Sequence, residues 1–490
     1  MTTAIQGLKP ELMWKYFAGI CDIPHQSKNE EAIRKWLVQL GESRGLEVRQ
    51  DEVGNVLIAV PATKGYENAP TVVLQGHMDM VCEKNNDTVH NFDKDPIKLV
   101  REGDWITADG TTLGADNGIG VAAALAFLDD KDAIHGPLEI LSTVDEETGL
   151  TGAFNLSNKL LTGKYMLNLD SEEDGALYVG CAGGADVKMH FNIVTAPVRA
   201  TDKVVEISIK GLMGGHSGLN INENRGNALR ILARMLKNLS DQNISWNLVK
   251  MDGGSAHNAI PREAMAQICV SGDNSQEAIN NLENSFNQAR VEYGKRETKM
   301  ECMVKAIDVN LPVAYSRTLS DGVIDLMLLV PNGVLTMSQD LPDLVESSSN
   351  LATVKSDGKV LTVHISTRSS VGTVIPEIQQ TAKIAGERCG ADVEIGEGYP
   401  AWQPDMDSPL LAAGKVVFEN LYGKQPLVKA IHAGLECGVI GEKFPGMQML
   451  SFGPEIHGAH SPDEKVSIPT VERFWELLTA LLKYIAEGKM

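Results

Sequence analysis

The chain has 490 residues, 43% apolar and 22% charged, the composition of a folded protein too long for a single core. Its formal net charge of −21 excludes nucleic acid and an anionic membrane surface as main partners, because both are held through basic patches and no Lys/Arg cluster stands out. No apolar run reaches the roughly 18 residues that span a bilayer, the first residues lack a basic segment followed by an apolar one, and the seven cysteines are scattered without a CxxC pair. A cytoplasmic protein with reduced thiols is expected, in which any metal is bound by His, Asp and Glu.

Helical periodicity covers 10–20 and 28–44, the latter with acidic residues near its start and Gly45 after its end. Apolar runs at 53–61 and 70–74 read as buried strands, and the second leads into Gln75-Gly76-His77-Met78-Asp79. The polar stretch 85–112 reads as a loop holding a short hairpin. It delivers the chain to LGADNGIG (113–120), where Asp116 sits in a glycine-rich turn ahead of an Ala-rich helix over 117–129. A strand over 137–144 ends in Asp145-Glu146-Glu147, and a helix over 149–160 with a strand over 165–169 ends in Asp170. This order predicts an open α/β fold with a mixed, mainly parallel sheet, since parallel neighbours need crossover helices. Three strands then place acidic or imidazole groups just past their carboxyl ends, where such sheets carry their sites.

From 187 the pattern changes. Residues 204–210 alternate apolar and polar, and GLMGGHSG (211–218), a helix at 224–238, strands at 245–251 and 263–271 and a helix at 275–294 follow. Strands at 301–307, 348–356 and 360–367 with a helix at 319–328 form a comparable second set, so 187–385 reads as an inserted α+β domain of two similar halves. The α/β pattern resumes at 386 with a strand at 391–396, a helix at 408–422, strands at 427–431 and 448–452 and a helix at 470–487. Residues 1–186 and 386–490 are thus expected to make one discontinuous domain.

His77 and Asp79, two apart at a strand end, would face the same side, where Asp79 can accept the second imidazole N–H or lie beside a metal-held water. Alone, this H-x-D reads as readily as a core or surface histidine, and Glu146-Glu147 as a solvated helix start. Together with Asp116, Asp170 and His460 they form a set suited to two zinc-like ions. Asp116 would bridge both, His77 and Asp170 would complete one site, and Glu147 and His460 the other, leaving positions open for water and substrate. Two ions about 3.5 Å apart can share one hydroxide and polarise a carbonyl, with Glu146 as the natural general base. His457 competes with His460 for the last position.

The motifs VLQGHMDMV, LGADNGIG, the DEE triplet at 145–147, NLD at 168–170 and the His460 turn resemble the co-catalytic zinc aminopeptidase and carboxypeptidase superfamily that includes aminoacylases and peptidase T. Within it, HNFDKDPI, DGTTLGADNGIGVA, TVDEETGLTGA, GLMGGHSG, GSAHNAIPREA, HAGLECG and GPEIHGAHSPDE are similar to the bacterial aminoacyl-histidine dipeptidases, and the likeness covers essentially the whole chain. The resemblance implies a cytosolic metallodipeptidase for unblocked dipeptides, notably Xaa-His such as carnosine. Two Zn2+ per chain are implied, although Co2+ or Mn2+ suits the same donors. Asp79 would orient His77, Glu146 would activate the bridging water, and the peptide bond after Asp116 would be cis.

The insertion, 187–385, would be a lid serving dimerisation and substrate binding. His216 in GLMGGHSG matches a lid histidine that meets the substrate carbonyl, and Asn258 and Arg262 match positions that can hold the terminal carboxylate. Gly434 and Glu436, in HAGLE, match a loop at the mouth of the site, with Glu436 directed to the free amine. The H-[ST]-x-x-E context of the last ligand fits His460 to Glu464 and not His457, which selects His460. A homodimer is implied, and a lid of two halves could supply His216 within one chain. A deacylase or tripeptidase of the same fold is the rival reading. A noncatalytic metal-dependent binding protein is a third, against which an intact Glu146 beside a full ligand set speaks.

Overall fold

The structure, a computed structural model, describes residues 3–309 and 311–490. Their contacts divide the chain into two compact units. One is the chain up to Gly180 with Pro404–Ala430 and Leu435–Met490; the other is Cys181–Gln403 with Ile431–Gly434. Among the described residues no helix is long and apolar enough to cross a membrane.

The first unit is built on an eight-stranded mixed sheet. Four strands at its centre, Leu138–Thr143, Val72–His77, Tyr165–Asn168 and Gln448–Ser451, are parallel. Val56–Val60 and then Glu47–Gln50 continue the sheet on one side through antiparallel pairs, and Ala176–Cys181 joins antiparallel on the other, with Leu427–Ile431 beyond it at the edge. Val72–His77 is buried at every position, which explains its unbroken apolar run and its lack of alternation. Helix Ala115–Ala126 packs on this strand and on helix Glu11–Cys21. The approach is close enough that a Cβ at Gly76 would run into the Asn117 side chain.

The hairpin expected within 85–112 is Leu99–Glu102 with Trp105–Ala108. Its second strand pairs with Lys465–Ser467, which pairs in turn with Ile456–His457, so the turn bearing His460 hangs from a four-stranded ladder. The helix expected over 149–160 is instead two short turns, Glu146–Gly149 and Thr151–Asn155, parted by Leu150 at φ 55°. Gly149 and Gly152 weaken the helical run on either side of that break.

The second unit is built on a nine-stranded antiparallel sheet. Its order is Glu301–Ile307, Lys203–Lys210, Ala264–Val270, Trp246–Gly253, Val345–Ser356, Val360–Ser369, Gly183–Asn192 and Asp392–Ile395, with Gly333–Met337 added to Val345–Ser356. Helices Ala228–Asp241, Ser275–Tyr293, Arg317–Leu329 and Val374–Arg388 close a core that includes Leu232, Trp246, Leu282, Val323 and Ala382. The two expected halves are joined along Glu301–Ile307 with Lys203–Lys210 and again at Gly253 with Val354. This sheet begins at 183, and its edge strand Asp392–Ile395 pairs with Gly183–Asn192. The strand expected at 391–396 therefore exists but joins the second unit. Periodicity marks a strand without naming its sheet, and for that reason the structural division falls at 180/181 and 403/404 rather than at 186/187 and 385/386.

Candidate metal centre

Because the central strands are parallel, their carboxyl ends lie side by side and carry the first unit's acidic and imidazole groups to one place. Nε2 of His77 is 3.1 Å from Oδ1 of Asp116 and 3.3 Å from Oδ1 of Asp170. Nε2 of His460 is 3.1 Å from Oδ2 of Asp116 and 3.0 Å from Oε2 of Glu147. Two triads, His77/Asp116/Asp170 and Asp116/Glu147/His460, thus share Asp116 through opposite oxygens, and the donor atoms within each lie within 4.8 Å of one another. Glu146 adjoins them in a group with His77 and Glu147. His457 is exposed, pairs with Glu455 at 2.7 Å and packs beside Trp105, outside both triads.

Backbone geometry aims these groups. Gly114 at φ 72° turns the chain into the helix, and the Asp116–Asn117 peptide bond is cis. Asn117 Nδ2 donates to the Leu169 carbonyl at 2.7 Å, joining this turn to the strand that leads to Asp170. Glu464, which the sequence marked only as the last residue of the H-[ST]-x-x-E context, is buried and accepts the backbone N–H groups of Leu113, Gly114, Ala115 and Asp116. Asp79 is 1% exposed; its Oδ1 accepts the N–H of Glu146 at 3.0 Å, and its Oδ2 accepts that of Glu147 at 3.3 Å and the Ser27 hydroxyl at 2.8 Å. Burial opposes this charge, but His77 and these donors hold the Asp79 carboxyl at about 2. Glu30 accepts the N–H of Asp145, and the Thr148 and Thr151 hydroxyls bond the Asp145 carboxylate, fixing that residue at φ 50° where the chain leaves its strand.

The donor chemistry calls for cations. Nδ1 of His77 faces two acceptors, the Asp79 carbonyl at 3.0 Å and Oδ1 at 3.4 Å, and so carries the proton. Its Nε2 lone pair then points at carboxylate oxygens, an arrangement that only a proton or a metal ion relieves. Glu147 Oε1 and Asp170 Oδ1 are buried without a hydrogen-bond partner. Burial and the surrounding acids push Glu146 well above the usual carboxylate range and Asp170 up to about 7. Asp116 and Glu147 raise His460 to about 11. Four buried or half-buried carboxylates, Asp116, Glu146, Glu147 and Asp170, are what two divalent ions would offset. Glu172 lies beside Asp116 and is held at about 9 by burial and the charges of Asp116 and Asp170. It is the first acid after NLD, two residues past Asp170, and no role was read for it from the sequence.

Glu436, expected in a loop at the mouth of the site, is fully buried. Its Oε2 accepts from Gln75 Nε2 at 2.5 Å and from Thr143 Oγ1 at 2.6 Å. It opens helix Glu436–Lys443, and that helix rather than a loop carries it into the core. Gln75 in turn accepts from Asn168, and Asn168 from Ser451, a buried polar row beneath the strand ends.

In the second unit Gly215–His216 pairs with Ala259–Ile260, and the Asn258 carbonyl accepts the Ser217 N–H, which brings His216 and Asn258 together. Nδ1 of His216 accepts the N–H groups of Gly218 and Leu219, so the ring's proton resides on Nε2. Burial, Arg368 and His257 hold this imidazole at about 4 and therefore neutral. Arg262 is exposed and gives its Nε to the Leu212 carbonyl at 3.0 Å. Arg368, which the sequence did not single out, is buried; it donates to the Tyr399 hydroxyl at 2.7 Å, and its Nε has no hydrogen-bond partner. Both Arg368 and Tyr399 line a cavity of about 250 Å3 with Asp186 and His257. Tyr399 lies where a Cβ on Gly184 or Gly434 would strike its ring.

Fold and site together define a peptidase with a place for paired metal ions, and the comparisons agree on the class: residues 73–484 match peptidase family M20/M25/M40, and the chain belongs to that family. It is 41% identical over 481 residues to the cytosol non-specific dipeptidase of Escherichia coli, covering 98% of each chain. The crystal structure of aminoacylhistidine dipeptidase from Vibrio alginolyticus superposes with a TM-score of 0.90 at 41% identity, covering 98% of this chain and 97% of that one. Aminopeptidase PepT from Bacillus cereus shares the fold, with a TM-score of 0.57 at 19% identity and coverage of 98% and 99%.

Proposed function

We propose that this chain is a cytoplasmic metallodipeptidase that hydrolyses unblocked dipeptides, those ending in histidine such as carnosine among them, and that it works as a homodimer with two zinc ions per chain. The observation that carries this reading is the pair of triads meeting on the two oxygens of Asp116, with Glu146 beside them and in neither. The dipeptidase names of its two relatives at 41% identity support the substrate class. We take the first unit as catalytic and the second as the lid that binds substrate and dimerises.

His77, Asp116 and Asp170 would hold one ion and Asp116, Glu147 and His460 the other; Co2+ and Mn2+ suit the same donors. When bound, the ions supply Lewis acidity that lowers the pKa of a water and polarises the scissile carbonyl. The chain supplies the rest. Asp79 keeps His77 in one tautomer and holds the N–H groups of Glu146 and Glu147 in place. Glu146 takes the proton of the attacking water and passes it to the leaving amine, a role that its raised proton affinity suits. His216 offers its Nε2–H to the carbonyl oxygen as negative charge develops there.

For the substrate carboxylate we propose Arg368 with Asn258 in place of Arg262, because the Arg368 guanidinium is buried with an unused N–H while Arg262 is exposed and gives its Nε to the Leu212 carbonyl. Gly434 serves by leaving room for Tyr399, which holds Arg368. Glu436 is no longer assigned to the free amine, since it is buried and bonded to Gln75 and Thr143.

Metal analysis coupled to a substrate panel tests the reading: carnosine, Ala-His, Ala-Ala, an N-acetylated amino acid and a tripeptide, before and after chelation and zinc re-addition. Two ions per chain and metal-dependent cleavage of the unblocked dipeptides are expected. Preference for the acylated substrate would replace the dipeptidase by a deacylase, and full activity after complete metal removal would refute the mechanism.

A further inference from the structure

We infer that Glu464 is a positioning residue for the metal pair: its carboxylate sets the direction in which Asp116 presents its two oxygens and ties His460 to that same turn before any ion binds. The inference rests on the metal-site reading above. Oε2 of Glu464 accepts the N–H of Leu113 at 2.7 Å and of Gly114 at 2.9 Å; Oε1 accepts that of Ala115 at 2.8 Å and of Asp116 at 3.2 Å. Four consecutive peptide groups are thereby gathered on one side chain 2% exposed. Of the side chains only a carboxylate offers two acceptor oxygens with about four lone-pair sites and no donor. The N–H groups are those a helix start leaves without partners, and their dipoles offset the buried charge.

The carboxylate is delivered from a rigid support. The Glu464 carbonyl accepts the Thr107 hydroxyl at 2.7 Å, and the next residue, Lys465, pairs with Thr107 in the four-stranded ladder. The Glu464 N–H closes the loop on the Ser461 carbonyl at 3.1 Å. His460, by contrast, is held at its ring by Asp116 and Glu147, while its side chain is 52% exposed and its backbone stands at φ 63°. Beside the direct contact of the two side chains, the bond network of Glu464, four residues further on, relates the backbone of the His460 turn to that of Asp116. One short segment both supplies the last ligand and orients the shared one.

The competing account is a plain helix cap that adds stability and nothing else. Glu464→Gln keeps the shape but turns an amide NH2 towards two of the four N–H groups. Glu139→Gln is the matched control: Glu139 is equally buried in the same unit, accepts from Thr162 and Gly163 and pairs with Arg49, at the far end of the strand that leads to Glu146. Zinc affinity is measured on the folded proteins by competition with a chromophoric chelator, alongside urea midpoints. E464Q should bind at least one ion ten-fold or more weakly, while E139Q loses comparable stability and binds as the wild type does. Should E464Q not fold, Glu464→Asp, charged but one methylene short, should show a smaller loss in the same direction. Unchanged zinc affinity in E464Q or E464D overturns the inference and leaves the metal site standing; a wild type that binds no zinc overturns the site itself.

Discussion

Asp79→Asn changes one atom at the point where strand, ligand and base are held together. Asp79 accepts the N–H groups of Glu146 and Glu147 on different oxygens and the Ser27 hydroxyl on one of them, and lies against His77 Nδ1. An asparagine keeps the volume, but in either orientation its NH2 faces one of those two peptide N–H groups. One charge-assisted bond becomes a contact between donors in a buried site, which costs about 1.5–3 kcal/mol, and loss of the charge weakens the remaining bonds. If the Glu146-Glu147 turn shifts accordingly, about 2–4 kcal/mol of transition-state stabilisation is lost, a fall in kcat of about 30- to 1000-fold. Steady-state kinetics on a dipeptide at saturating zinc, with zinc content measured on the same sample, is the assay. The fall should lie in kcat with KM little changed. A kcat within twofold of wild type would show that the Asp79 carboxylate does not hold the base, and the reasoning would fail.

Glu146→Gln should lower kcat by about 10²–10⁴-fold, the range of general acid–base catalysis, while zinc content stays at the wild-type value; turnover near wild type would reject Glu146 as the base. Arg368→Ala should raise KM for dipeptides by tenfold or more yet leave hydrolysis of the corresponding dipeptide amides unchanged, and equal effects on both substrates would sink the carboxylate assignment. His432, in the second unit, provides a pH test. Burial, with Arg368 and His216 nearby, lowers its imidazole from 6.5 to about 3. Below pH 6.5 the unfolded chain therefore takes up a proton that the folded one refuses, and stability falls as the pH drops. One such group removes about 2 kcal/mol between pH 7 and pH 5. Urea unfolding should show this fall in the wild type and a smaller one in His432→Gln; identical pH slopes would contradict it.

Much of the site was legible because metal chemistry restricts donors to a few residue types and parallel sheets place them at strand ends. His77, Asp116, Glu147, Asp170 and His460 each sit in a short motif, and the structure brings all five together. The choice of His460 over His457 came from the family resemblance, through the H-[ST]-x-x-E context, and the structure sets His457 against Trp105 and Glu455. Legibility ended where a side chain's role depends on what reaches it from afar. Glu436 follows Leu435 in a run that reads as a loop, yet its partners are Gln75 and Thr143, about 300 residues or more distant. Arg262 looked suited to a carboxylate by its motif, but its Nε is spent on a carbonyl fifty residues earlier. Arg368 ends an unremarkable alternating strand, and only its burial and free Nε mark it.

By itself, then, the sequence determined the α/β order and pointed to the five side chains that the structure gathers, since periodicity and short motifs are local and a metal tolerates few alternatives. The tertiary structure alone decided which oxygen of Asp116 faces which histidine, that Asp392–Ile395 joins the second sheet, and that Glu464 gathers four peptide groups some 350 residues before it. Those outcomes depend on long-range packing, in which direction and distance are set by the whole sheet and leave no periodic trace in the residues concerned.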